Sequence, residues 1–227
     1  MELGSNCPVI VMDDCDLEKA VELSVSGAFW AVGQNCIGVQ RMYIHKNIYD
    51  EFEKKFVERT KKIKVGFQLD EDTDMGPMIT ESEAKRVEEW VKEAVETVGK
   101  LLTGGERNGS LVQPTVMKNV PETCRLGHEE VFGPVVILYQ IEDLDEAIKK
   151  ANNVNYGLHA GIFTNNLNIA FKAIKEVDVG GIMINDSSDY RIDGMPFGGV
   201  KNSGLGREGI RFALQEMTEP KVVCFNL

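Results

Sequence analysis

Short apolar runs and amphipathic helical patterns alternate along nearly the whole chain, and this alternation limits the fold more than any other feature. Pro8–Met12 reads as an apolar strand and Val39–Ile44 as a second. Between them Asp13, Asp14 and Asp16 offer caps to a helix carrying Leu17, Ala20, Val21, Val25, Ala28 and Phe29. Ile48, Phe52, Phe56 and Ile63 fall mostly at helical spacing. Thr80 with Glu83 makes a capping-box pattern ahead of Val87, Trp90, Val91, Ala94 and Val98 on one helical face. Further strands are expected over 112–117, 134–141, 160–164 and 181–184. Helices are expected from Asp143 to about Asn152 and over 166–177. Residues 66–78 read as a loop, Gly104-Gly105 as a turn, and Lys221–Asn226 as a last strand. No linker interrupts the pattern. It predicts an α/β fold: a single three-layer domain built on a mainly parallel sheet.

Charge and cysteine usage remove several classes of function. With 36 acidic against 25 basic residues, the formal charge is −11. Such a chain lacks the basic face that non-specific nucleic-acid binding requires. Cys7, Cys15, Cys36, Cys124 and Cys224 are odd in number and form no C-x-x-C pair. They suit a reducing, cytoplasmic setting better than a disulfide framework. His45, His128 and His159 are scattered without ligand spacing, so no metal site is expected. Neither a leader nor an apolar run near the ~18 residues of a membrane span is read.

One cysteine stands apart. In AVGQNCIGVQR, Cys36 sits among small and polar residues where a helix gives way to a strand. It is either an inert half-buried thiol or a nucleophile on a tight, glycine-flanked turn. No histidine is near in sequence, so a carboxylate would have to move the proton; Glu2 is one candidate. A second motif is a decoy. Gly204-Leu-Gly206-Arg-Glu-Gly209 fits G-x-G-x-x-G, but no strand precedes it. The chain ends too soon for the ~30-residue unit that a dinucleotide fingerprint opens. A glycine-rich turn leading into a helix from about Arg207 is the plainer reading.

Four motifs in order carry a family resemblance. ELGSNCP begins at Glu2, GQNC is followed by Arg41, EEVFGPV spans 129–135, and MPFGGVKNSGLGRE spans 195–208. Together they resemble the aldehyde dehydrogenase superfamily, end to end, and its catalytic (C-terminal) domain in particular. The resemblance implies oxidation of an aldehyde to a carboxylic acid with NAD or NADP, through a thiohemiacetal and a thioester on Cys36. Glu2 matches the general base that activates the deacylating water. Glu130 matches the glutamate that takes the nicotinamide-ribose hydroxyls, and Phe132 the aromatic beside them. Trp30, Asn35, Ile37, Arg191 and Phe197 match positions of the substrate pocket, and Asn185 an asparagine that braces the active-site loop. Arg191 would suit an anionic substrate. The branch most similar in these motifs acts on lactaldehyde or phosphonoacetaldehyde.

The chain is about half as long as members of that family. The resemblance therefore implies a catalytic domain over 1–210, with 211–227 a helix end and oligomerisation strand, and an upstream cofactor-binding domain absent. Weak or no activity is expected from such a domain alone, and a homodimer or homotetramer from the full-length protein. Two other readings stay open: a cofactor-independent thiol esterase using the same Cys36, and a non-catalytic oligomerisation module.

Overall fold

The apolar runs pair side by side into one sheet. The computed structural model describes all 227 residues. Its seven sheet strands are β1 (Cys7–Val11), β2 (Val39–His45), β3 (Lys100–Thr103), β4 (Thr115–Lys118), β5 (Val135–Ile141), β6 (His159–Phe163) and β7 (Gly181–Ile184). Their spatial order is β7-β6-β1-β2-β5-β4-β3. Every neighbouring pair is parallel except β3 with β4. Strands β1 and β6 are buried at every residue, as runs covered on both faces must be.

Helices α1 (Leu17–Phe29) and α2 (Tyr49–Thr60) pack against each other, as do α5 (Leu144–Asn152) and α6 (Leu167–Glu176). The connection β1-α1-β2 steps one way across the sheet, and β6-α6-β7 steps the other. Right-handed crossovers therefore put the two helix pairs on opposite faces, which makes the three layers. Helix α3 (Glu81–Glu96) covers the β3 end and packs on the short helix α4 (Arg125–His128).

Local signals place most boundaries. Asp16 caps α1 by accepting from the Lys19 N–H, Asp143 caps α5 in the same way, and Thr80 caps α3. Some expectations fail. Asp14 caps nothing; it reaches across the sheet instead. Val98 lies beyond the end of α3 and is exposed. Strand β3, antiparallel and partly exposed, was hidden in KLLT. The C-terminal helix α7 starts at Ile210, after the glycines. The tail expected as a strand over Lys221–Asn226 pairs with nothing and is exposed throughout. An isolated strand has no partner for its amides, and neither sheet edge in this chain takes it up.

Candidate active site

Because the sheet is mainly parallel, segments far apart in sequence enter it at one common edge. Cys36 precedes β2, Glu2 precedes β1, Glu130 and Phe132 precede β5, and Leu158 precedes β6. The amino ends of the strands thus collect the residues singled out by motif.

The approach to Cys36 is strained. After α1, Ala31, Val32 and Gly33 hold φ of 51°, 62° and 65°. Valine is β-branched and resists this left-handed region, yet Val32 is packed in the core. The turn is closed by Gln34 N–H donating to Ala31 O at 3.0 Å and Gly38 N–H to Asn35 O at 3.0 Å. The Asn35 side chain accepts from Ile37 N–H at 3.2 Å, and its own Nδ2 is buried without an acceptor. Ser188 donates to Ile37 O at 2.8 Å and fixes the far side of the turn.

Two open clefts meet at Asn35 and Cys36. One, of about 570 Å³, is lined by Glu2, Leu3, Gly4, Gln34, Glu130 and Phe132. The other, of about 640 Å³, is lined by Ser26, Trp30, Ile37, Asp189, Arg191, Asp193 and Phe197. Nine of the ten residues matched to site positions are therefore brought to one continuous surface. The tenth, Asn185, lies at the carboxyl end of β7. It accepts from Thr164 N–H at 2.9 Å and is tied to β6, so it braces a different loop from the one around Cys36.

The electrostatics of Cys36 run against a free thiolate. Burial pushes its thiol up to about 12, and the charges of Glu2, Cys7 and Glu130 add to the rise; its own backbone N–H opposes them. Burial likewise pushes Glu130 up to about 7, opposed by the Ser5 N–H that donates to its Oε1 at 2.9 Å and assisted by Glu2. Glu2 is pinned. Leu3 N–H donates to Ser203 O at 2.9 Å, Leu205 N–H donates to Met1 O, and Glu2 pairs with Gly204 in a β-bridge. Gly204 holds φ of 148° directly against the Met1 carbonyl, where a Cβ has no room. The glycine-rich motif is thus a clamp for the Glu2 segment, not a phosphate loop.

The loop carrying Glu130 and Phe132 hangs on Gln40. Its amide donates to Glu129 O (2.7 Å) and Leu126 O (3.1 Å) and accepts from Val131 N–H (3.1 Å). Phe132, at φ 44°, is held with its ring exposed in the first cleft. Sequence reasoning passed over Gln40, although a glutamine inside an apolar strand was a readable signal. Arg41 beside it is buried, and its guanidinium donates to the carbonyls of Asn6, Lys150 and Ala151. It ties β1 to α5 and does not face a cleft. In the second cleft Arg191 lies 4.0 Å over the Phe197 ring. His159 meets the same ring edge-on and holds Ser188 O at 3.0 Å; burial lowers its pKa, so it is neutral.

The first cleft fits the nicotinamide-ribose end of a dinucleotide. It offers a carboxylate with an open face for sugar hydroxyls and an exposed aromatic for the ring. It offers nothing that would hold the pyrophosphate or adenine.

Known proteins share the sequence and the fold of this chain. The sequence pattern of the aldehyde dehydrogenase family matches residues 1–223. Aspartate-semialdehyde dehydrogenase 1 of Pseudomonas canavaninivorans is 53% identical over 227 residues, covering 100% of this chain and 48% of that protein. The 3-sulfolactaldehyde dehydrogenase of Priestia aryabhattai is 51% identical with the same coverage. Aldehyde dehydrogenase 21 from Physcomitrella patens, solved with the reaction product succinate, superposes with a TM-score of 0.94 at 50% identity, over 96% of this chain and 46% of that one. The glyceraldehyde-3-phosphate dehydrogenase of Methanocaldococcus jannaschii, complexed with NADP, gives 0.92 at 44% identity, over 95% and 47%. Betaine aldehyde dehydrogenase from Staphylococcus aureus, with NAD+, gives 0.91 at 35%, over 95% and 45%. The chain spans about half the length of the relatives it matches.

Proposed function

Because the chain belongs to the aldehyde dehydrogenase family, we propose that residues 1–210 form a catalytic unit that, joined to the remaining half that its longer relatives carry, oxidises a short anionic aldehyde to the acid with NAD or NADP. The observation that carries this reading is the meeting of two clefts at Cys36. One is lined by carboxylates and an aromatic, the other by an aromatic pair, Arg191 and the carboxylates of Asp189 and Asp193.

The residues divide the work as follows. Cys36 Sγ bonds to the aldehyde carbon and gives up its proton. With a thiol pushed up to about 12, that proton needs an acceptor at hand, and Glu2 and Glu130 are the carboxylates beside it. The carbonyl oxygen becomes an oxyanion that the Cys36 backbone N–H receives; one such donor is worth roughly 3–4 kcal/mol in other enzymes. A bound nicotinamide, its ribose held by Glu130 and its ring face by Phe132, would supply the hydride acceptor needed to oxidise the adduct on Cys36 to a thioester. Glu2 then takes a proton from a water that attacks the thioester carbon, the C–S bond breaks, and the acid leaves. Arg191, held over Phe197, pairs with the anionic end of the substrate. Relatives named for aspartate semialdehyde and sulfolactaldehyde, both anionic, support that role.

The tail and the exposed face of α6 (Leu167, Phe171, Ile174) suit an oligomer in the whole protein. No helix is long and apolar enough to cross a membrane.

The test is NAD(P)H formation with succinate semialdehyde by this unit joined to the remaining half of a relative, compared with the same protein carrying Cys36→Ala. Cys36-dependent reduction of the cofactor supports the reading. Cys36-dependent cleavage of an activated ester with no reduction would replace it with a thiol esterase. No change on losing Cys36 would leave a non-catalytic module.

A further inference from the structure

The second cleft holds two carboxylates that the reaction does not use, the exposed Asp193 and the half-buried Asp189. Asp189 lies on the loop that leaves β7, and that loop is built to a fixed position. Ser188 Oγ donates to Ile37 O at 2.8 Å, and His159 Nδ1 holds Ser188 O at 3.0 Å. Ser187 Oγ donates to Asp189 Oδ1. Gly27 of α1 leaves room for this carboxylate: a Cβ there would stand 2.7 Å from Asp189 Oδ1 and from Ser187 Oγ.

Asp189 is half-buried, and burial raises its pKa; Asp186 is the one neighbouring charge that shifts it. Arg191 lines the same cleft but does not pair with it. The reason is geometric. Asp189 is fastened against α1, and the guanidinium is stacked on Phe197. An acid and a base are thus held apart across one cavity beside Cys36. Apart from Ser187, the one protein donor to the Asp189 carboxyl is its own backbone N–H, and the carboxylate lines the open cleft. A donor group on a ligand in this cleft would replace the water that such an open carboxylate oxygen otherwise holds.

We propose that Asp189 is a specificity residue: its carboxylate receives a hydroxyl or ammonium donor carried on the chain of an aldehyde whose anionic end rests on Arg191. This builds on the anionic-aldehyde reading above. The substrate class is then a short semialdehyde bearing both an anion and a hydrogen-bond donor. An unsubstituted acid semialdehyde is the poorer ligand.

Calorimetric titration of the chain with succinate, L-malate and L-aspartate tests it. The three differ in carrying no donor, a hydroxyl or an ammonium. Malate or aspartate should bind about tenfold tighter than succinate, the scale of one charge-assisted hydrogen bond. Asp189→Ala should erase that advantage and leave succinate unchanged. Asp189→Asn keeps the shape and an acceptor oxygen, so it should erase the advantage of aspartate and keep that of malate. Arg191→Met should weaken all three. If wild type binds the three equally while Arg191→Met weakens them all, Asp189 has no such role and the anionic-aldehyde reading stands. If Arg191→Met changes nothing, or none of the three binds, that reading fails and takes this one with it.

Discussion

The two ends of the sheet are built on opposite principles. At the carboxyl ends of β1, β6 and β7 the polar groups answer one another. Asp14 accepts from Thr164 Oγ1 at 2.8 Å and Asn165 N–H at 3.1 Å, Asn165 Nδ2 donates to Asp14 O at 2.7 Å, and Asn185 accepts from Thr164 N–H. At the amino ends the groups are left wanting. Asn35 Nδ2 and Asn6 Oδ1 are buried without partners. Ala31, Val32 and Phe132 hold left-handed backbone, and Cys36 and Glu130 carry raised pKa values. In open α/β sheets the carboxyl-end crevice, where strand order reverses, is the usual ligand site. Here that crevice, between β1 and β6, is filled by its own side chains. Asn119 and Asn185 hold left-handed backbone at carboxyl ends too, but asparagine tolerates it; a left-handed valine and unmet hydrogen bonding set the candidate site apart better than topology does.

Substitutions can break or sharpen this contrast. The largest expected effect is at Cys36: its change to alanine should abolish acid formation with little change in melting temperature. Asp14→Ala should do the reverse, costing about 1–3 kcal/mol in denaturant unfolding with the chemistry intact. A loss of activity in the Asp14 variant would break the distinction. Next is Glu2→Gln, which should slow deacylation by about 10²–10⁴-fold. Acyl-Cys36 should then accumulate in intact-mass spectra, and iodoacetamide should label Cys36 faster because a charge that disfavours the thiolate is gone.

Glu130 gives a smaller effect with a definite sign. Its carboxyl titrates near 7 in the folded chain, above the usual carboxylate range. The folded state therefore holds the proton more tightly, and stability falls as pH rises from the ordinary carboxylate value through about 7. Glu130→Gln removes that loss and keeps an acceptor for Ser5. The variant should match wild type at pH 4 and exceed it increasingly up to pH 8; a constant gap would mean that the residue acts by packing. Smallest is deletion of 221–227, a fully exposed tail. It should change stability by less than about 0.5 kcal/mol.

Much of this was legible beforehand, and the gaps have physical causes. Apolar runs and Asp or Thr caps carry their own local energetics, so α1, α3, α5 and the buried strands fall where expected. Strand β3 was missed because an edge strand is half solvated and needs no apolar run. Alternation alone cannot supply a partner, so the tail expected as an oligomerisation strand stays unpaired in the single chain. Motifs located Cys36, Glu2 and Glu130, but no local preference foretells a left-handed valine. Nor does spacing reveal that Asp189 and Gly27 meet, or that Asp14 spends its charge on a threonine 150 residues away.

That last separation has a consequence for how the molecule is made. Strand β1 lies at the middle of the sheet, and its neighbour β6 follows it in the sequence only after two other strands of the sheet's core, β2 and β5. Until then β1 is an open edge, and pairings this distant are slow to close. Glu130 comes beside Cys36 when β5 pairs with β2, but the Glu2 segment is fastened only when residues 203–205 bond Met1 and Leu3. The Glu2 carboxylate is therefore the last of the three to be fixed, and the burial that pushes the Cys36 thiol up arrives with the finished fold.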